Sequence, residues 1–227
     1  MTEPVAAPAA GLRDVTVWDP LIRITHWSFP LLIPAMWWTA ENSKWALHRR
    51  IGLVLLGLLV FRILWGFLGP ETARFFSFVK GPRAVLAYLR GQAAHTIGHS
   101  PVGGWSTVVL LGAMLAQVSM GLFAGDPYDG MTGPLNPMVG VMVADTITEL
   151  HETFFWVIAG LIGLHLAAIT FYAVRGDDLL SPMVGGDRPP MAGVSGIGPM
   201  PWVRGLLAIA IAAGFALWVA YGAPPLT

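Results

Sequence analysis

The chain has 227 residues, 55% of them hydrophobic and 11% charged, and its 13 Lys and Arg balance its 13 Asp and Glu. With a mean hydropathy of +0.65, this composition excludes an ordinary soluble domain and points to a polytopic membrane protein in contact with lipid, and the charge balance argues against a nucleic acid partner. The absence of cysteine excludes thiolate-bound iron–sulfur clusters, covalently attached c-type haem, a catalytic thiol and disulfides, and leaves histidine as the main candidate metal ligand.

Residues 1–17 have no apolar core of signal-peptide length behind a basic start, so they read as a cytoplasmic amino-terminal arm. Five apolar runs follow. The first, Leu21 to Ala40, contains Pro30 and Pro34 and is expected to kink. The second runs from His48 to Leu68. The third, Gly104 to Ala124, is introduced by the turn-rich stretch HTIGHSPVGG. The fourth runs from Thr148 to Val174, with Thr146 and Glu149 in capping-box spacing at its start. The fifth is Trp202 to Tyr221. Each is long enough to cross a hydrocarbon layer about 30 Å thick. The expected fold is an all-α integral membrane protein: a four-helix transmembrane bundle over residues 18–175, a cytoplasmic linker at 176–201, and a fifth C-terminal transmembrane helix within 202–227.

Loop charges give the orientation. The second connection carries Arg74, Lys80, Arg83 and Arg90, and the fourth carries Arg175 and Arg188, whereas the third has neither lysine nor arginine. The positive-inside rule therefore puts the amino terminus, the second connection and the start of the fifth span in the cytoplasm, with the carboxyl terminus on the opposite side of the membrane. Lys44, Arg49 and Arg50 lie on the opposite side and need a reason of their own.

The histidines supply it. In LHETFFWVIAGLIGLHLAAITFY, His151 and His165 are fourteen residues apart. At about 100° per residue they share one helix face, and at about 1.5 Å per residue they stand roughly 21 Å apart. His26 lies early in the first span and His48 at the start of the second. Depth alone thus pairs His48 with His151 at the outer level and His26 with His165 at the inner one. Zinc usually asks for four ligands of mixed type, and a two-histidine site would need completion from residues not evident in the sequence. Haem iron needs only two axial donors, so two bis-histidine b haems fit better. With both axial positions filled, electron transfer is favoured over oxygen chemistry.

Each haem brings two propionates, for which arginine is a bidentate partner. Arg49 and Arg50 follow His48, Arg23 precedes His26 by three residues, and Arg62 returns to the face of His48 fourteen residues later. An arginine inside a span is costly, which makes Arg62 a functional candidate; snorkelling to the interface is the plainer account.

Together, DPLIRITHW, HRRIGLVLLGLLVFRILWG, GHSPVGGW and LHETFFWVIAGLIGLHLAAI resemble the bacterial cytochrome b561 family, which includes the b-type cytochrome subunit of nickel–iron hydrogenases. The resemblance covers about residues 17–175. It implies four helices holding two b haems, with His26, His48, His151 and His165 as iron ligands. It further implies electron exchange between a membrane quinone and a periplasmic c-type cytochrome, hydrogenase subunits or another redox partner outside the membrane. Within the family, superoxide oxidation to quinone is an alternative, for which a cationic outer surface would draw in the anion. A histidine-lined metal or proton permease is a third reading, opposed by the scarcity of carboxylates in the spans.

Other polar residues have plainer readings. His95 and His99 fit polar interfacial roles, with a quinone or proton path open for His99. Gln117 and Ser119 fit interhelical hydrogen bonding, and Gly52, Gly57, Gly160 and Gly163 fit either macrocycle approach or helix packing. Trp18, Trp45, Trp105 and Trp202 stand at span ends, as an aromatic belt does. Asp126, Asp129, Asp145 and Glu149 make the outer connection acidic, a surface for a basic partner or simply a solvated loop.

Overall fold

A computed structural model describes residues 14–92, 98–126, 130–189 and 196–225. His95, Asp129 and most of the amino-terminal arm lie outside them. In chain order the elements are β1 (Val15–Thr16), α1 (Pro20–Glu41), α2 (Trp45–Leu68), α3 (Phe75–Phe78), α4 (Pro82–Leu89) and α5 (Pro101–Phe123). They are followed by β2 (Gly125–Asp126), β3 (Met131–Thr132), α6 (Val141–Val174), α7 (Leu180–Gly185), β4 (Asp187–Arg188) and α8 (Trp202–Ala220).

Among the described residues, α2, α5, α6 and α8 are long and apolar enough to cross a membrane. The 22 residues of α1 include Arg23, Thr25, His26, Ser28, Thr39 and Glu41, and this polar content keeps it outside that set despite its length.

The start of α1 is written in its sequence. Asp19 is fully buried and accepts from the backbone N–H groups of Leu21 (2.9 Å) and Ile22 (3.0 Å), satisfying donors that have no partner within the helix. Pro20 follows at the first helical position, where its missing N–H costs nothing. The helix continues unbroken through Pro30 and Pro34.

One boundary differs from expectation. α6 begins at Val141, so Thr146 lies inside the helix and its hydroxyl donates back to Met142 O at 3.0 Å instead of capping. Between Gly140 and Thr148 no residue breaks a helix, and the 34-residue α6 is about 51 Å long at the standard rise.

The connections sort to two ends. At one end β1 pairs antiparallel with β4, Val15 opposite Arg188 and Thr16 opposite Asp187. Thr72 donates to Val17 O at 2.6 Å, and Tyr88 meets Tyr172 at 2.8 Å, which brings the α2–α5 connection and the end of α6 to the same end. At the other end are the α1–α2 turn and the β2–β3 hairpin, and there Leu135 packs with Leu56 and Val219. The main buried cluster lies near the first end, where Trp18 and Ile22 meet Phe61 and Trp65 of α2 and Ala208 and Ala212 of α8. Gly57, one turn before Phe61 on the same side of α2, lies against Ala216 and Ala212 of α8, so helix packing is its role.

Helix pairing leaves a cleft. α1 packs on α2, α2 on α8 and α5 on α6, with α2 touching α5 more lightly. Among the described residues α6 makes at most sparse contact with α1 or α2. Across that gap the four histidines face one another.

Candidate functional site

The structure brings the expected histidines together in two pairs. The imidazole centroids of His48 on α2 and His151 on α6 are 6.2 Å apart with ring planes at 81°. Those of His26 on α1 and His165 on α6 are 6.5 Å apart at 54°. No direct hydrogen bond joins the rings of either pair. Two metal–imidazole bonds of about 2 Å in line, plus about 1.1 Å from each nitrogen to its ring centre, would give a centroid spacing of roughly 6.2 Å. Both pairs fit one metal between two rings. Among the described residues no group of three or more His, Cys, Asp and Glu converges as a metal site would.

Around His48 and His151 the cleft opens into a cavity of about 670 Å³, lined by Trp45, Arg49, Gly52, Gln117, Gly121 and Phe155 among others. This is within the size range of cofactor pockets.

The backbone orients both rings of this pair. His48 Nδ1 lies 3.1 Å from Met36 O and 3.1 Å from Thr39 Oγ1, and the buried Thr39 hydroxyl itself donates to Met36 O at 2.8 Å. His151 Nδ1 lies 2.9 Å from Gln117 O, while Gln117 Nε2 donates to His151 O at 2.8 Å. A ring that donates Nδ1–H to a carbonyl leaves Nε2 as the basic ligand nitrogen, the usual arrangement at a metal. Gly121, one turn beyond Gln117, makes room for the ring: a Cβ there would stand 2.9 Å from His151 Cε1.

The second pair is held differently. Among the described residues neither His26 nor His165 makes a ring-nitrogen hydrogen bond, and His26 Nδ1 is buried without a partner. The His26 ring packs edge-on against Trp27, at 5.3 Å.

The candidate arginines divide. Arg49 is exposed at the edge of the His48–His151 cavity, and Arg50 is exposed beside it. Arg23 donates to Val184 O of α7 at 2.5 Å, so its guanidinium is tied to the segment that follows α6. Arg62 is only 6% exposed, with a long 3.4 Å contact to Ala73 O and its guanidinium 5.1 Å from the centre of the Phe75 ring.

His99 sits just ahead of α5, its ring 4.2 Å from that of Phe78 and 4.8 Å from that of Trp18. Burial, reinforced by the Arg62 cation and by His26 and His165, pulls its pKa down to about 3. It is therefore neutral at physiological pH.

Thr39, the Gln117 carbonyl and Gly121 did not stand out as site residues in the sequence. Gln117 and Gly121 share an α5 face by their spacing of four, a signal compatible equally with helix association. Thr39 reaches His48 from a neighbouring helix end and leaves no pattern at all.

A family model described as prokaryotic cytochrome b561 matches residues 17–186 of this chain. No curated protein and no solved structure matches it.

Proposed function

Because the chain belongs to the prokaryotic cytochrome b561 family, whose members are haem b proteins of membrane electron transfer, we propose that it carries electrons across a bacterial inner membrane on two b haems. His48 and His151 would hold one, and His26 and His165 the other. The observation that carries this reading is the pair of imidazole spacings, 6.2 and 6.5 Å, at two levels of one cleft. A haem held by two imidazoles would supply one-electron redox chemistry.

The chain's own residues do the rest. The imidazoles bind and orient, and α2, α5 and α6 wall the cofactors from water. Arg49 and Arg50 at one level, and Arg62 and Arg23 toward the other, are the cations available to propionates. Along α6 the two sites are about 21 Å apart, so each serves one membrane surface. α1 joins the same two ends as α2 and is therefore read as a fifth crossing. The basic end takes the cytoplasmic side, leaving the carboxyl terminus in the periplasm. One haem exchanges electrons with quinone and the other with a periplasmic or membrane-attached protein, a c-type cytochrome or a hydrogenase.

The position of Arg49 at the cavity edge also favours a second reading, oxidation of superoxide at the His48–His151 end. Rapid reduction by superoxide in stopped flow, slowed in Arg49→Gln, would support it.

Proteoliposomes loaded with ferricyanide and given an impermeant reductant outside test the main reading. Bleaching of the trapped ferricyanide should depend on the protein and be lost in both His26→Ala and His48→Ala. A haem-loaded protein that leaves ferricyanide untouched would exclude transmembrane transfer.

A further inference from the structure

The two histidine pairs differ in what holds their far ring nitrogens. At the His48–His151 pair both Nδ1 atoms meet acceptors: Met36 O and Thr39 Oγ1 at 3.1 Å each, and Gln117 O at 2.9 Å. At the His26–His165 pair, among the described residues, neither ring has one, and His26 Nδ1 is buried without a partner. An imidazole that donates from Nδ1 becomes a more basic ligand, and a more basic ligand favours the oxidised metal.

We propose that Thr39, with the Met36 and Gln117 carbonyls, makes the His48–His151 site the low-potential member of the pair. A haem held by His48 and His151 would therefore pass its electron downhill to one held by His26 and His165, the first being oxidised and the second reduced with no proton or further reactant taking part. The inference rests on the two-haem reading and adds the direction that reading leaves open. Thr39 is a positioning residue, acting through the His48 ring.

Potentiometric titration of the purified protein, followed by its haem spectrum, tests this. The two sites should titrate with at least a tenfold difference in reduction equilibrium, about 59 mV for a one-electron couple. His48→Ala should retain the higher-potential step and His26→Ala the lower. Thr39→Val removes one of two acceptors and should shift only the lower step upward, with Thr39→Ser restoring it. In ferrous protein labelled with ¹⁵N-histidine, two Nδ1–H signals should be shifted as hydrogen-bonded donors are, and those two should be lost in His48→Ala. Two haems with the order inverted, or a Thr39→Val protein whose lower step stays unmoved, would overturn the inference and leave the two-haem reading standing. A wild-type protein with one haem or none would instead remove that reading.

Discussion

Gly121→Ala is a one-atom test of how His151 is held. The new Cβ would stand 2.9 Å from His151 Cε1 and 3.4 Å from Nδ1. Carbon atoms rest at about 3.5 Å or more, so the ring has to retreat by roughly 0.6 Å. The same movement stretches the 2.9 Å bond from Nδ1 to Gln117 O beyond hydrogen-bond length, costing about 1 kcal/mol. It also disturbs the 6.2 Å spacing to His48 by more than the roughly 0.2 Å that metal–ligand distances tolerate. Losses of this kind cost about 10- to 100-fold in cofactor affinity. Haem transfer to excess apomyoglobin should therefore be about 10- to 100-fold faster from one of the two sites and unchanged from the other. Gly112→Ala, at an exposed position of α5 with nothing within 4 Å, serves as the control and should behave as wild type. Equal transfer rates from wild type and Gly121→Ala would refute the argument that this glycine sets the ring's position.

Asp19→Ala removes the cap of α1 and leaves the buried Trp65 Nε1, now 3.1 Å from Asp19 Oδ2, without an acceptor. Together these should cost about 2–4 kcal/mol, read as a lower Tm in detergent, while Asp19→Asn loses less. His99 should make the protein acid-sensitive. Its pKa is held at about 3 against an ordinary 6.5, so between those values the unfolded chain binds the extra proton and the folded one does not. Stability should fall as the pH drops below about 6.5, and the slope of Tm with pH between about 6.5 and 4.5 should be flatter in His99→Phe, whatever its starting Tm. Gly57→Leu presses on α8, because a Cβ at this position already stands 3.6 Å from Ala216 Cβ. The expected cost is about 1–3 kcal/mol in thermal stability with both haem spectra intact, and loss of haem would show that the α2–α8 contact supports the cofactor sites.

The histidine quartet was legible because helix geometry is periodic. A spacing of fourteen fixes face and depth on α6, and the alternation of spans then assigns His26 and His48 to opposite levels. The long helices were legible from their apolar runs, with ends within a few residues for α1, α2, α5 and α8. The start of α6 was misread because Thr146 and Glu149 have capping-box spacing, while the last helix-breaking residue, Gly140, lies upstream. What supports the histidines was hidden for other reasons. Met36 and Gln117 contribute backbone carbonyls, which every residue type carries, and Thr39 approaches from the end of another helix. The hydrogen bond from Arg23 to Val184 depends on α7 folding back beneath α1, and the β1–β4 ladder of two residues per strand is too short to create any alternation.

The most direct measurement is the haem content per chain by the pyridine haemochrome method, with a reduced-minus-oxidised spectrum, for wild type, His48→Ala and His165→Ala. The account predicts two low-spin b haems in the wild type and the loss of one, from different sites, in each variant. A wild-type protein without haem, or one that keeps both haems when either histidine is removed, would contradict it.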